Sequence, residues 1–240
     1  MDFNLTEEQK MLRKTARDFL ESECPSSLVR EMTADEKGYP PQLWQKMACL
    51  GWQGLVFPER YNGGGGSFLD LVILLEETGR ALLPCPLSPT VMAGIFILEC
   101  GSEEQKAAFL PGISNGDIIV SLALTEPSMR CPDRSMSTRA VAQNGGYRVS
   151  GTKLFVPMAH LADYLICAAR TNEDSGVDGV TNFIIDAKSD GITYVPLKTM
   201  GRDKQYEVQL NNVAVPAGNI LGELDKGWEY ICKRFMPLLT

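Results

Sequence analysis

The stretch Leu122–Ser135, LALTEPSMRCPDRS, lies at the start of the part of the chain that is typical of β-structure. Its first residues continue an apolar run, DIIVSLALT, that indicates a buried β-strand. Pro127 forces a turn after that run, because proline fixes φ and lacks a backbone N–H. The residues after the turn include Cys131 but no glycine, so they have less backbone freedom than a glycine-rich loop.

Composition sets the class of protein. The chain has 240 residues, of which 44% are hydrophobic and 22% charged, as in an ordinary globular protein with one large or two ordinary domains. Its net charge of −7 argues against nucleic acid as a partner, because phosphate binding rests on clustered lysine and arginine. No apolar run approaches the roughly 20 residues of a membrane span. The acidic start, MDFNLTEEQK, does not have the apolar core of a secretory signal.

Cysteine and histidine usage limits the chemistry. Seven cysteines are scattered singly without a C-x-x-C pair, which indicates reduced thiols and a cytoplasmic location. The single histidine, His160, argues against a histidine-based metal site and against a Ser/His or Cys/His nucleophile pair. We therefore expect His160 to be a loop or surface residue, and we expect no metal.

Residues 1–116 show helical patterns. The capping box Thr6-x-x-Gln9 begins the first predicted helix, and SFLDLVILLEETGRALLP, apolar on most sides, predicts a helix buried between others. Pro111 is expected to end a later, short helix. The four glycines of ERYNGGGGS predict a mobile turn and not a phosphate loop, because no strand–loop–helix context surrounds them.

Residues 117–225 show strand patterns. Short segments rich in β-formers, from DIIVSLALT to YEVQLNNVAVP, are separated by turn signals with no helix between them, which predicts an antiparallel β-sandwich or barrel. Residues 226–240 are helical in pattern again, and the sequence stops inside that pattern, so we expect a longer protein. The predicted fold is α+β and multidomain: an all-α domain, a β-domain and the incomplete start of a C-terminal helical domain.

Several stretches, in this order, are similar to the acyl-CoA dehydrogenase family: LTEEQKMLRKTARDFL, GWQGLVFPERYNGGGGSFLDLVILLEETGRA, GSEEQKAAFLPGISNGD, SLALTEP, GTKLFVPMAHLADYLICAART and VQLNNVAVPAGNILGELDKGW. The resemblance covers essentially the whole chain. It implies a helical domain, a β-domain and a C-terminal four-helix bundle, of which only the start falls within these residues.

The resemblance also implies flavin chemistry. Family members bind FAD and oxidise the Cα–Cβ bond of an acyl-CoA thioester to the trans-enoyl-CoA, and the electrons pass to an electron-transferring flavoprotein. A carboxylate from the bundle takes the α-proton, so no catalytic residue is expected in this chain. Glu126 is expected to be a surface or inter-strand carboxylate. The resemblance further implies a dimer or tetramer, of identical or different subunits.

The Thr-Glu-Pro strand carries the first expected contacts with the cofactor. By the resemblance, Leu122, Leu124 and Thr125 contact the pyrimidine edge of the flavin. The family usually continues with Gly-x-Gly-Ser-Asp, whose serine helps to hold the acyl-CoA. Here Cys131 stands at the position of that serine, a weak hydrogen-bond donor in place of a good one. The flavin half of the motif is kept, whereas the substrate half is altered.

The second expected cofactor contact is the run Phe155-Val156-Pro157. The family has here an aromatic residue, Ile, and then a Thr or Ser whose hydroxyl faces flavin N5. Phe155 keeps the aromatic platform, whereas Pro157 has neither a hydroxyl nor an N–H to donate. The apolar residues between Leu83 and Leu98 are similar to the helices of the family's acyl pocket.

Three functions remain open at this point. The first is an FAD-dependent acyl-CoA dehydrogenase whose base lies outside these residues. The second is a non-catalytic partner subunit of a heteromeric dehydrogenase, which Cys131 and Pro157 favour. The third is a flavin-free acyl-CoA-binding or scaffold protein. The visible spectrum of the full-length protein, alone and after co-expression with neighbouring homologues, separates them.

Overall fold

The structure, a computed structural model, describes residues 4–127, 136–172 and 179–232. The helices of the first part are α1 (Glu7–Glu23), α2 (Ser26–Ala34), α3 (Pro41–Cys49), α4 (Phe68–Arg80), α5 (Leu87–Cys100) and α6 (Glu103–Ser114). A short helix, α7 (Gly227–Tyr230), follows the strands. The predicted order of a helical part before a β-part is therefore confirmed.

Reciprocal side-chain caps begin several helices. The predicted capping box of α1 is present: the Thr6 hydroxyl accepts from the Gln9 backbone N–H at 3.2 Å, and the Gln9 side chain accepts from the Thr6 N–H at 3.1 Å. The same pair of bonds begins α4 (Ser67 and Asp70) and α6 (Ser102 and Gln105). Each box satisfies two backbone donors that a helix N-terminus otherwise leaves without partners.

The buried helix of the bundle is α5 and not α4, which the sequence pattern predicted for this place. Ala93, Phe96 and Ile97 of α5 are fully buried, whereas α4 exposes Leu69 and Val72 on its outer face. Composition agrees with this difference, since four of the 13 residues of α4 are charged and only Glu99 is charged in α5. Packing agrees as well, because α5 lies against both α6 and the sheet.

Pro111 lies inside α6, so the expectation that it ends this helix is wrong. Proline removes one backbone hydrogen bond from a helix, and tertiary contacts can offset that loss. Here Leu110 and Ile113 on either side are fully buried, and the Ser114 hydroxyl donates to the Tyr61 carbonyl at 3.0 Å. Helix α2 is absent from the sequence prediction, and it begins after Pro25 without a side-chain cap.

The strands follow the predicted segments closely. They are β1 (Val120–Ala123), β2 (Arg139–Gln143), β3 (Gly146–Pro157), β4 (Tyr164–Arg170), β5 (Val180–Asp186), β6 (Ile192–Leu197), β7 (Gln205–Pro216) and β8 (Ile220–Leu221). The order across the sheet is β6-β7-β3-β2-β4-β5-β8, and β1 pairs with β4. The pairings of β1 and β2 with β4 are parallel and the others antiparallel, so the β-part is a mixed sheet and not a purely antiparallel one. The β2–β3 hairpin supplies the long connection that parallel pairing of β1 and β4 needs.

Strand β4 separates two hydrophobic cores. Ile166 and Ala168 face the helices and belong to the core that contains Leu20, Phe57 and most of α5. The alternate residues of β4 face the second core, which contains side chains from β3 and β7. Because both faces of β4 are covered, its residues Leu165 to Ala169 are all buried, which is typical of a strand between two layers.

The loop of four glycines, Gly63–Gly66, is bonded to the segment Gly54–Phe57 and is not the mobile turn that its composition predicts. The N–H groups of Gly64, Gly65 and Gly66 donate to the carbonyl groups of Gly54, Phe57 and Leu55 at 2.8–2.9 Å. A Cβ atom on Gly63 would lie 2.0 Å from the Phe57 carbonyl oxygen. Glycine is therefore required by close backbone approach and not by flexibility.

We expect Gly63→Ala to destabilise the full-length protein by about 1–3 kcal/mol, because the new methyl group overlaps backbone and cannot be relieved by a side-chain rotation. Gly79→Ala is the matched control. Gly79 lies in α4, and a Cβ atom there meets nothing within 4 Å, so this change should stabilise by about 0.5–1 kcal/mol. Urea unfolding of both variants measures the two effects, and equal midpoints would contradict this account of the loop.

Candidate functional site

The end of β1 and the end of β3 lie side by side. The Leu154 N–H donates to the Thr125 carbonyl at 2.9 Å, and the Ser121 hydroxyl donates to the Pro157 carbonyl at 2.6 Å. The two segments in which the sequence analysis expects cofactor contacts are therefore neighbours in space. This juxtaposition is long-range in the chain and is created by the pairing of both segments within the same sheet.

A β-bulge in β3 shapes this region. Lys153 pairs with Val208 of β7 and Val156 pairs with Tyr206, so Leu154 and Phe155 together stand opposite one residue of β7. Phe155 has a φ of +54°, which is rare for a bulky residue and costs free energy that the surroundings must offset. The residue is 57% exposed. The bulge thus presents an aromatic ring on the surface of the described chain.

The other expected contact residues divide between surface and core. Thr125 is exposed, and Leu122 and Leu124 are half-buried against the helical core. Val156 is fully buried in the second core, so its side chain does not face this surface, and only its backbone could contact a ligand there. The bulge is the physical reason that Val156 faces the core. Its extra residue interrupts the alternation of inward and outward side chains, which restarts after Phe155. Cys131 lies outside the described residues.

Glu126 and Lys153 form a buried ion pair directly behind this surface. Lys153 Nζ lies 2.7 Å from Glu126 Oε1, and both side chains are 0% exposed. The Glu126 carboxylate also accepts from the Ser137 N–H at 2.6 Å, the Ser137 hydroxyl at 2.8 Å and the Thr138 N–H at 3.1 Å. Glu126 is therefore an inter-strand carboxylate, one of the two places the sequence analysis expects for it. Lys153, within the Gly-x-Lys that precedes the aromatic residue, is the partner of Glu126 that the sequence analysis missed.

The environment of Glu126 decides its protonation state. Burial raises the pKa of this carboxyl group, but the charge of Lys153 and the hydrogen bonds from Lys153, Thr138 and Ser137 outweigh burial and lower the pKa to about 2. A carboxylate of this kind stays ionised at neutral pH and is a weak base. Glu126 is thus unsuited to be a general base.

A cavity of about 450 Å³ opens beside the end of β3. It is bounded by Val29 and Met32 of α2, by Leu83 in the turn between α4 and α5, and by Pro157 and Met158. A charged segment, residues 202–204, also lines it. The turn belongs to the apolar segment in which the sequence analysis places the acyl pocket. The cavity therefore connects the β3 terminus with apolar side chains of the helical part.

Cys85 also lines this cavity, but its thiol is not a nucleophile at neutral pH. Burial raises the pKa of Cys85 to about 12, and a thiol that stays protonated reacts slowly. No disulfide joins the cysteines of the described residues.

His160 lies between the helical part and the sheet, and is half-buried. Its ring stacks on Tyr206 with 4.6 Å between the ring centres, and Nε2 donates to the Lys37 carbonyl at 2.9 Å. Burial lowers the pKa of His160, which favours the neutral ring. Within residues 4–127, 136–172 and 179–232, no group of acidic, histidine and cysteine side chains could hold a metal ion. In the same part of the chain no helix combines the length and apolar character needed to cross a membrane.

We expect Glu126→Gln to lower the stability of the full-length protein in a pH-dependent way. Because the folded-state pKa of Glu126 is below that of an unfolded chain, its contribution is complete above about pH 4.3 and is lost as the pH falls through the folded pKa of about 2. The contribution is on the order of 3 kcal/mol. The difference in free energy of unfolding between wild type and variant should therefore shrink as the pH falls from about 5 towards 3. A constant difference would show that Lys153 does not lower the pKa of Glu126.

Comparison with known proteins identifies the family to which the chain is similar. The sequence model "Acyl-CoA dehydrogenase, N-terminal domain" matches residues 6–117, and "Acyl-CoA dehydrogenase, middle domain" matches residues 121–213. The chain is 34% identical to the caffeyl-CoA reductase-Etf complex subunit CarC of Acetobacterium woodii, over 95% of this chain and 62% of that protein. It is 33% identical to an acyl-CoA dehydrogenase of Bacillus subtilis, over 94% of this chain and 60% of that protein.

A solved structure agrees with these sequence matches. The structure of butyryl-CoA dehydrogenase from Megasphaera elsdenii superposes with a TM-score of 0.84 at 32% identity, over 96% of this chain and 62% of that one. The chain thus spans about three fifths of the length of these relatives. The two domain matches, the similar sequences and the shared fold together show that the chain belongs to the acyl-CoA dehydrogenase family.

Proposed function

We propose that the full-length protein is an FAD-dependent dehydrogenase of acyl-CoA thioesters, with its catalytic base outside residues 1–240. The observation that carries this proposal is the surface at the ends of β1 and β3. There an exposed hydroxyl residue, Thr125, and an exposed aromatic residue, Phe155, are held next to each other by the bond from Leu154 to Thr125. The names of the relatives, which are dehydrogenases and reductases of CoA thioesters, support the same reaction class.

The residues of this surface fit a flavin. An isoalloxazine ring has apolar faces and a polar pyrimidine edge, and Phe155 offers an aromatic platform while Thr125 offers a hydroxyl group. Leu122 and Leu124 would add half-buried apolar contact beside that edge. When bound, FAD would supply the hydride acceptor of the reaction. Pro157 offers no donor at the place where the family has a hydroxyl group, so this chain would bind N5 less well.

The cavity beside Pro157 is the proposed site of the acyl chain. Apolar side chains line its far side, at Val29, Met32 and Leu83, and the β3 terminus lines its near side. Of the residues expected to contact the flavin, Pro157 lines this cavity, so an acyl group there would lie beside the end of β3. Cys131 stays a proposed contact for the CoA part, on the resemblance alone.

Partners and organisation follow from the family. An electron-transferring flavoprotein is the proposed electron acceptor, and the name of the CarC relative, a subunit of an Etf complex, supports this partner class. We also propose a dimer or tetramer, domain boundaries at residues 116 and 225, and a cytoplasmic location. The non-catalytic subunit is not favoured, because the relatives are named for oxidoreductase activities.

We expect purified full-length protein to carry bound FAD and to form enoyl-CoA from acyl-CoA thioesters with an artificial electron acceptor. Residues 1–240 alone should bind little FAD and show no turnover, because Phe155 and Thr125 offer one open wall of a site. The visible spectrum and the turnover assay measure both proteins. A colourless, inactive full-length protein, alone and after co-expression with neighbouring homologues, would contradict the proposed function. Turnover by residues 1–240 would show that the base was placed wrongly and lies within these residues.

We expect Pro157→Thr in the full-length protein to bind FAD more tightly or to reduce it faster, by about fivefold, the equivalent of roughly 1 kcal/mol. The new hydroxyl group can donate to oxidised N5 and accept from reduced N5, whereas proline can do neither. Flavin affinity and single-turnover reduction measure the effect. Pro216→Thr is the matched control, because Pro216 is exposed and pairs with Gly146 at the opposite end of the β3–β7 ladder. If both variants equal the wild type, Pro157 does not face N5.

A further inference from the structure

We propose that the buried Glu126–Lys153 ion pair is a positioning element that holds Thr125 and Phe155 in the geometry that receives the flavin. The inference rests on the proposed function, since it concerns residues assigned to the cofactor surface. Neither member of the pair reaches that surface, because both side chains are 0% exposed. They act through the neighbours to which the backbone connects them.

The pair joins three segments of the chain. Lys153 Nζ contacts Glu126 Oε1 at 2.7 Å and the Leu124 carbonyl at 3.5 Å, so it binds the segment that directly follows β1. The Glu126 carboxylate accepts three hydrogen bonds from Ser137 and Thr138. Residues 124–126, 137–138 and 153 are therefore fixed to one another at a single buried point.

Each charged residue stands one or two positions from a residue of the cofactor surface. Thr125 directly precedes Glu126, and its side chain is exposed while that of Glu126 is buried. Phe155 follows Lys153 after Leu154, at the bulge where φ becomes positive. Inward anchoring of Glu126 thus sets which way Thr125 faces, because neighbouring side chains of extended backbone point to opposite sides. Phe155, two positions after the buried Lys153, faces outward because the bulge interrupts this alternation, and the anchored Lys153 fixes where the bulge begins.

Stability alone does not account for a charged pair in this place. Apolar residues of similar size often replace a buried ion pair without loss of stability. Ionic hydrogen bonds differ from apolar contacts in being directional, since each requires its donor and acceptor at a set distance and angle. Five such bonds at one carboxylate and one ammonium can hold a strained bulge, whereas apolar contacts would allow it to relax.

The experiment separates positioning from stability by removing both charges at once. Glu126→Met with Lys153→Met in the full-length protein should fold, since no unpaired charge remains, although its unfolding midpoint should fall because the buried Thr138 N–H loses its acceptor. The same double variant should bind FAD about tenfold more weakly, the effect of one lost hydrogen bond, and should shift the visible absorption band of the flavin that stays bound. Lys46→Met is the matched control, because Lys46 pairs with Glu23 near the surface, and it should change neither quantity.

A folded double variant with the FAD affinity and the flavin spectrum of the wild type would overturn the proposal. If the double variant does not fold, Glu126→Asp takes its place: the charge is kept, but the shorter side chain cannot reach Lys153 and Ser137 together. Its spectrum under saturating FAD, well below its unfolding temperature, should differ from that of the wild type, and an identical spectrum overturns the proposal. If wild-type full-length protein binds no flavin, the proposed function fails together with this inference. If the wild type binds flavin and the variant matches it, only this inference fails and the proposed function stands.

Discussion

The ion pair of Glu126 and Lys153 lies where water does not reach it, so each charge depends on the other and on a few backbone donors. Loss of one partner leaves a buried charge unpaired, which typically costs about 3–5 kcal/mol. The pair spans 27 positions of the chain and connects β1 with β3. Strand β1 in turn lies against α5 and β4, so the geometry at this one point affects the helical part, the sheet and the cofactor surface.

The position of β4 explains how the two parts of the chain form one body. One face of this strand packs on the helices and the other on the layer that contains β3 and β7. Residues of the strand that face the helices, such as Ile166 and Ala168, are part of the same core as Phe57. The cavity beside Pro157 lies at the edge of this arrangement, where α2 meets the end of β3. A ligand there would contact both parts at once.

Local features could be predicted from the sequence, and features set by distant contacts could not. The capping box of α1 and the strand segments depend on neighbouring residues, and both appear as expected. The fate of Pro111 depends on the burial of Leu110 and Ile113, which no short pattern reveals. At the site, the segments around Thr125 and Phe155, in which the resemblance implies cofactor contacts, lie next to each other. The bulge that turns Val156 into the core, and the choice of Lys153 as the partner of Glu126, arise from pairing across the sheet and are invisible to a motif.

The loop Gly63–Gly66 has a consequence for how this protein resists attack. A run of glycines on a surface is normally cut by proteases and exchanges its amide hydrogens rapidly, because its backbone is extended and free. Here three successive amide hydrogens are held by the carbonyl groups of Gly54, Leu55 and Phe57, and Phe57 is fully buried in the helical core. Their exchange requires these hydrogen bonds to break, and because Phe57 belongs to the helical core, opening of that core releases the loop. Amide exchange in this glycine-rich loop therefore reports how often the helical layer opens.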